Sequence, residues 1–512
     1  QAGRPRKELF YTLQAAEQAK GVYANTEALE HYARALELLD EMEAQTTTET
    51  QLYVIRTQRF EVLDGRREVL YRTGDFETAW ADAQALLPLA QQLSDDPAWL
   101  VDALLQQPGV AGWRSREDLD AAISMAQQAL THAQQLGDRR REMQGLVARA
   151  RQCLWLNDPR GEALAERALE LARQLGDRRL EVGILIGLGR AYTTSEPERS
   201  MEYLEAAIPI SRALDDKGTE LQLLELIGIQ LESNDDYYRR LTECHEKQLR
   251  ISREIGHRPA EAGALMYCGQ IQGLYLGDYA GGMALLEESL RIWEGMPGVL
   301  YPLLRMAQIQ VVQGRCDEAQ VTLERARRVS EQYEGYAKDI GQAGLNLVSA
   351  ISYNALRDQD HLRAALELTA RNREAFVDNP QLSQQYQMVA ACEAAAAHLE
   401  LARVIEDDAE RRHHLRQALE SSQAALDVFQ SFGFVRPIEC VSEEILFRHS
   451  LALAANGLQA PATDYLKRAY EEMMRKHDLI PADSPFRRTY LEQIPLHRAI
   501  RTAYAAATVR RK

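Results

Sequence analysis

The chain has 512 residues, 46% of them hydrophobic and 27% charged, and a formal net charge of −16 at pH 7. That is the balance of a folded globular chain, too apolar for disorder, and the acid excess argues against nucleic acid, whose binding rests on a basic surface. No apolar run approaches the roughly 20 residues of a membrane span and no charged-then-apolar leader opens the chain, so no membrane partner is expected and the expected setting is the cytoplasm.

The chain opens on Gln1 rather than Met and is expected to be a piece of a longer polypeptide. Its first periodic stretches, residues 14–39 (QAAEQAKGVYANTEALEHYARALELL) and 67–95 (REVLYRTGDFETAWADAQALLPLAQQLSD), are repeat-like, the second with a Gly74-Asp75-Phe76 turn. Residues 104–118, LLQQPGVAGWRSRED, break the pattern: Pro108, Gly109 and Gly112 stand where a helix should run on and would end or kink it. Trp113 and Arg114 then fall on an irregular segment, either a binding element or a tolerated insertion.

Next comes AQQLGDRRREMQG from Ala133 to Gly145, and its near twin ARQLGDRRLEVG from Ala172 to Gly183. Leu136, Leu175 and Leu214 stand at equal spacing along the chain, and a fixed period of this kind marks a repeat architecture. Between the twins, Leu164, Ala168, Leu171 and Leu175 make one apolar helical stripe with a stop at Gly176. The stretch LEVGILIGLGRAY puts Leu185, Leu188, Gly189 and Tyr192 on another, so each unit reads as a helical hairpin. LGDRR is then the end of one hairpin and the start of the next, with Gly137 and Gly176 stopping a helix and the following Asp capping its successor.

Small residues spaced by seven let the second helix of a unit approach its neighbours closely. They stand at Ala28/Ala35, Ala122/Ala129, Gly161/Ala168, Ser200/Ala207, Gly282/Ser289, Ala319/Ala326, Ala418/Ala425 and Ala462/Ala469. Gly277-Asp278-Tyr279 repeats the turn seen at Gly74. The expected fold is therefore all-α: a right-handed tetratricopeptide-like α-solenoid, a superhelix of about eleven helical hairpins over residues 1–484, with a C-terminal helix over 485–512 packing on the last repeat. Its units exceed the usual 34 residues, so helices or loops must be longer.

Residues 14–39 and 67–95 resemble the repeat region that follows the nucleotide-binding module in STAND-class signalling ATPases, including forms linked to nucleotide cyclases. The resemblance is clearest over residues 10–180 and gives way beyond them to a generic tetratricopeptide pattern. It implies a sensor arm of a bacterial-type signalling protein, which holds an upstream ATPase module of the same polypeptide inactive until a protein, peptide or small-molecule inducer binds. Neither that module nor a DNA-binding helix-turn-helix is present here, so only the sensor role carries over. A pure assembly scaffold, or a peptide-receptor regulator of the quorum-sensing kind, would use the same architecture.

Chemistry-bearing motifs fail on inspection. Gly187-Leu188-Gly189 lacks the third glycine and the preceding strand of a dinucleotide fingerprint, and no phosphate loop is present. His245-Glu246 has no second histidine four residues after the first, and His413-His414 point about 100° apart on a helix. The pairs Asp95-Asp96, Asp215-Asp216 and Asp235-Asp236 fall in turns, where capping explains them. Six cysteines without a C-x-x-C (Cys153, Cys244, Cys268, Cys316, Cys392 and Cys440) read as small buried hydrophobes. No catalytic residue, cofactor or metal is expected, and the chain is expected not to be an enzyme.

A solenoid offers a concave face lined by first helices instead. Taking Ala150, Gly189, Gly228, Gly269 and Ala307 as equivalent small residues, the next position should face the groove: Arg151, Arg190, Ile229, Gln270 and Gln308. Trp155, Glu225, Met266 and Leu304 are nearby candidates. Arg151 and Arg190, on consecutive units, would suit a carboxylate, a phosphate or an acidic peptide; alternatively they pair with acids such as Glu225 and merely solvate the groove.

Overall fold

The computed structural model describes residues 4–106, 116–155, 158, 160–192, 196–233, 241–294, 297–332, 335–374, 380–431 and 440–509. Among the described residues there are 24 helices and no strand. The first ten are α1 (Arg4–Gly21), α2 (Asn25–Ala44), α3 (Glu49–Thr73), α4 (Phe76–Gln92), α5 (Ala98–Gln106), α6 (Arg116–Leu136), α7 (Arg139–Trp155), α8 (Arg160–Leu175), α9 (Arg178–Tyr192) and α10 (Pro197–Leu214). Then follow α11 (Lys217–Ser233), α12 (Thr242–Glu254), α13 (Arg258–Gln270), α14 (Tyr279–Trp293), α15 (Leu300–Val312), α16 (Cys316–Ser330), α17 (Gly335–Leu356) and α18 (Gln359–Arg373). The last are α19 (Pro380–Val404), α20 (Asp408–Ser431), α21 (Ser442–Ala455), α22 (Gln459–Leu479), α23 (Phe486–Glu492) and α24 (Pro495–Val509). Up to α22 they make eleven hairpins. Extra length sits in the helices themselves, as in the 25-residue α3 and α19.

The small pairs on the second helices are buried at every position whose side chain is described. Contact is close enough that bulk is excluded: a Cβ on Gly161 would lie 2.8 Å from the Leu154 backbone nitrogen, and one on Gly282 would lie 2.7 Å from the Gly269 carbonyl. Spacing by seven keeps these residues on one helical face, so two helices meet along a ridge with nothing large between them.

The repeated loop does the work its sequence implies. Gly137 (φ 66°) and Gly176 (φ 67°) take the left-handed conformation. Asp138 then accepts from the Arg140 and Arg141 amides at 3.1 Å each, and Asp177 accepts from Leu180 N at 3.2 Å. In the third copy Asp215 takes the left-handed position (φ 49°) and Asp216 caps Thr219 N at 3.1 Å. In the fourth, after Gly256 (φ 63°), His257 Nδ1 accepts from Ala260 N at 3.2 Å, a histidine standing in for the aspartate.

Contacts divide the chain into two compact units. Unit 1 comprises Gln1–Tyr192, Glu198–Leu226 and Gln248–Glu261; unit 2 comprises Thr193–Pro197, Ile227–Lys247 and Ala262–Lys512. A core of unit 1 gathers Leu9, Ala16, Ala28, Tyr32, Leu38, Ile55 and Val69, and one of unit 2 gathers Leu300, Leu303, Leu304, Ala307, Leu323 and Val348.

Each unit returns to one of its own early turns. In unit 1 the α1–α2 turn sits on the loop after α12, where Asn25 Nδ2 donates to Ile255 O at 3.0 Å. In unit 2, α23 and the residue that follows it meet the turn before α14. Thr489 Oγ1 donates to Leu276 O at 2.6 Å, and Tyr279 OH donates to Gln493 O at 3.0 Å. Within unit 2, α24 packs on α22, with Tyr504 stacked on Tyr470 at 4.1 Å between ring centroids.

Candidate binding face

The first helix of a hairpin buries one side against its own second helix, and α9 shows how. Val182, Ile184, Leu185, Ile186 and Leu188 are buried. Gly189 is the packing glycine: a Cβ there would lie 2.6 Å from Leu204 Cδ2, and its carbonyl accepts from Ser200 Oγ at 2.6 Å. The equivalences assumed from sequence hold at Gly228, whose Cβ would meet His245 at 2.7 Å, and at Gly269, whose Cβ would meet Gly282 O at 2.9 Å.

The opposite side of α9 is bare. Gly183 and Arg190 are exposed and Gly187 is half-buried, at spacings of four and three that place all three on one face. Neither Gly183 nor Gly187 has any atom of the described residues within 4 Å of where a Cβ would stand, so packing among them requires glycine at neither. Arg190 makes no hydrogen bond or ion pair among the described residues, and the half-buried Glu225 of α11 does not pair with it. Arg151 lies on α7, which packs beside α9. The side chains of Arg151, Trp155 and Ile229 lie outside the described residues, as does the whole of Trp113.

The remaining candidates face inward, which corrects the expectation for them. Met266 is buried against Leu286 and Ile309, and Leu304 belongs to the core around Ala307. Gln308, though next to its small residue, is buried, and its Oε1 accepts from the buried Arg305 Nη1 at 2.9 Å. Gln270 is 2% exposed and its Nε2 donates to Tyr275 OH at 2.7 Å. Here the helix continues as a π-helical turn over Ile271–Tyr275, whose wider winding adds a residue before the hairpin turn. Of the groove candidates, Arg151, Trp155, Arg190 and Glu225 belong to unit 1, while Ile229, Met266, Gln270, Leu304 and Gln308 belong to unit 2.

Groups with chemical potential are already engaged. No set of three metal-ligating side chains converges among the described residues. His398 and His414 face each other with Nδ1 atoms 2.9 Å apart, so one must donate and the other accept. His413 is exposed. In unit 2, Lys476 Nζ donates to Ser442 Oγ at 2.7 Å, a spacing seen in serine–lysine nucleophile pairs, but Lys476 is also bonded to Glu443 and all three are buried. Although burial alone would raise it, the Glu443 carboxyl is held well below the usual carboxylate range by Lys476 and by His497, whose Nε2 is 3.2 Å away. An ammonium locked on a carboxylate cannot act as a base, so the pair is a buried ion pair in a packed interior. Sequence reasoning missed it, since Glu443, Lys476 and His497 lie on three separate helices.

No protein-family model matches the chain, and neither does any curated protein sequence. Among solved structures, it is similar to a Rap protein complexed with Competence and Sporulation Factor. That match is 16% identical, with a TM-score of 0.50, and covers 74% of this chain and 99% of the other. Yeast Tom70 is 14% identical, covering 89% of this chain and 96% of its own, with a TM-score of 0.40. A Signal Transduction ATPase with Numerous Domains carrying a tetratricopeptide repeat sensor, from Pyrococcus horikoshii, is 16% identical, covering 79% of this chain and 55% of its own, with a TM-score of 0.37. The last two scores are too low to add to the fold assignment. The class is that of all-α, tetratricopeptide-like solenoids.

Proposed function

We propose that the chain is the non-catalytic sensor arm of a STAND-class signal-transduction ATPase, working in the cytoplasm. It binds an inducer, whether protein, peptide or small molecule, and so controls an ATPase module of the same polypeptide. The observation that carries the binding reading is the bare face of α9. Two mid-helix glycines that packing does not require each cost roughly 1 kcal/mol of helix stability relative to alanine, and an arginine with no ion pair among the described residues stands on the same face. A ligand backbone can approach such a surface closely, and Arg190, with Arg151 on the neighbouring α7, supplies cations for a carboxylate or phosphate. Each charged hydrogen bond contributes roughly 1.5–3 kcal/mol where partly desolvated.

The test is Arg151→Ala combined with Arg190→Ala, read against a library of short acidic peptides with free or amidated C-termini. Binding should fall at least tenfold in the double variant while melting stays within a few degrees. Untouched binding would remove the site, and a sharp fall in melting would make the arginines structural. The superposition on the Rap complex over nearly all of that chain favours a second reading, a receptor of the quorum-sensing kind. Binding that needs no ATPase module and responds only to peptides would select it.

A further inference from the structure

Tyr23 stands at the within-hairpin turn position where Gly74, Gly277, Gly314 and Gly457 stand in other hairpins, and it takes the same left-handed backbone, φ 62°. Among the described residues, Arg357 in the turn between α17 and α18 is a second non-glycine with this backbone, φ 61°. A tyrosine in this conformation carries strain that glycine avoids, and at Tyr23 the ring has a use. It packs with Leu224 and Ala260 on the buried Leu221, Ile251 and Ile255, and the Arg72 guanidinium lies 4.9 Å above it.

Two residues on, Asn25 Nδ2 donates to Ile255 O at 3.0 Å and to Gly256 O at 3.3 Å, across 230 residues of sequence. The far side is shaped to receive it: a Cβ on Gly256 would lie 2.7 Å from that nitrogen. Yet Asn25 Oδ1 is buried without a hydrogen-bond partner among the described residues. A seated Asn25 therefore satisfies its donor and leaves its acceptor orphaned, a penalty that water removes when the turn leaves its seat.

We propose that the Tyr23–Asn25 turn is a releasable latch, giving unit 1 a closed form with the turn seated on the 255–257 loop and an open form with the seat bared. One aromatic ring with its stacked arginine and one half-satisfied amide hold the closed form. Release uncovers the apolar patch of Leu221, Ile251 and Ile255, and any ligand that prefers one form shifts the population toward it. The latch is independent of the ligand reading at Arg190.

Two variants of the full chain test this. Asn25→Asp sets a carboxylate against two carbonyl oxygens while favouring the start of α2 itself. Tyr23→Asn removes the ring but suits the left-handed turn. By hydrogen exchange with mass spectrometry, amides of α1, α2 and residues 255–260 should exchange at least tenfold faster in both variants, with α7–α9 unchanged. Unaltered exchange in either variant overturns the latch. Faster exchange spreading through α7–α9 also overturns it, since the turn would then be a keystone of the whole unit.

Discussion

In unit 1 the return to an early turn is made by one ring, one side-chain amide and a stacked arginine. In unit 2 it is made by α23 and the residue that follows it, with α24 fastened beside them over an ion network that is almost dry. Lys476 and Glu443 side chains are each 1% exposed, and both ring nitrogens of His497 reach acceptors, Tyr490 O at 2.7 Å and Glu443 at 3.2 Å. Tyr490 in turn donates to Met473 O at 3.2 Å. Similar sequence separations are thus bridged by contacts of different character. A buried ion network is hard to open by degrees, because removing one member strands the others without water, whereas a single turn leaves its seat and is hydrated at once. The first closure suits a conformational equilibrium and the second a permanent end.

The largest test of that contrast is Lys476→Met. It leaves the buried Glu443 carboxylate without its ammonium partner, with His497 and the Ser442 hydroxyl still beside it, and we expect a loss of about 3–5 kcal/mol, read as lost exchange protection in α21–α24 with unit 1 unaffected. Adding Glu443→Gln should restore much of it. Equal loss in both units would show that they do not unfold separately, and so break the comparison.

Acid should act on unit 1 through His257. Burial, helped by Arg72, lowers this imidazole from 6.5 to about 4. The unfolded chain then binds the proton more tightly than the folded one between those values. Stability is therefore full above pH 6.5, falls as pH drops through the window, and levels off below pH 4, losing at most about 3 kcal/mol. His257→Asn keeps a capping acceptor and should flatten that slope at α13. His398 in unit 2, also lowered to about 4 by burial, should keep its own acid limb in the variant.

Two glycines sharpen the picture inside unit 1. At Gly65 a Cβ would lie 2.5 Å from the Tyr32 hydroxyl and 2.8 Å from Cζ of a ring that is 1% exposed. Gly65→Ala should cost about 1–2 kcal/mol after the gain in helix propensity. Gly183→Ala, with nothing to meet, should stabilise by about 0.5–1 kcal/mol. Chemical denaturation of the two variants should move in opposite directions; a loss at Gly183 would mean that α9 is not bare.

The hairpins were legible because their signals are local and periodic: Ala28/Ala35 or Ala319/Ala326 recur at a helical spacing, and LGDRR carries a stop and a cap side by side. The candidate binding residues were legible only in part. The small residues beside them were placed correctly, but whether the following residue faces out depends on neighbours that the period does not encode. Arg190 stands clear, Gln308 is claimed by Arg305, and Gln270 is claimed by Tyr275 across the π-helical turn. The closures were not legible, since contacts across more than 200 residues leave no period. A single signal did stand in the text: a tyrosine at a turn where the equivalent turns mostly carry glycine.

That turn also bears on how such a chain can change over generations. The loops at Gly137 and Gly176 are near copies, so recombination between them would remove Arg139–Asp177, an entire hairpin, and rejoin the chain at an intact stop-and-cap. An open array tolerates this kind of loss or gain. A unit whose first turn must find the carbonyls of Ile255 and Gly256 does not, because one hairpin fewer would bring Asn25 to the wrong loop. The seat thereby counts hairpins, and lineages that keep Tyr23 and Asn25 should keep the number of repeats between them and Ile255, while those that lose the pair should vary freely in length.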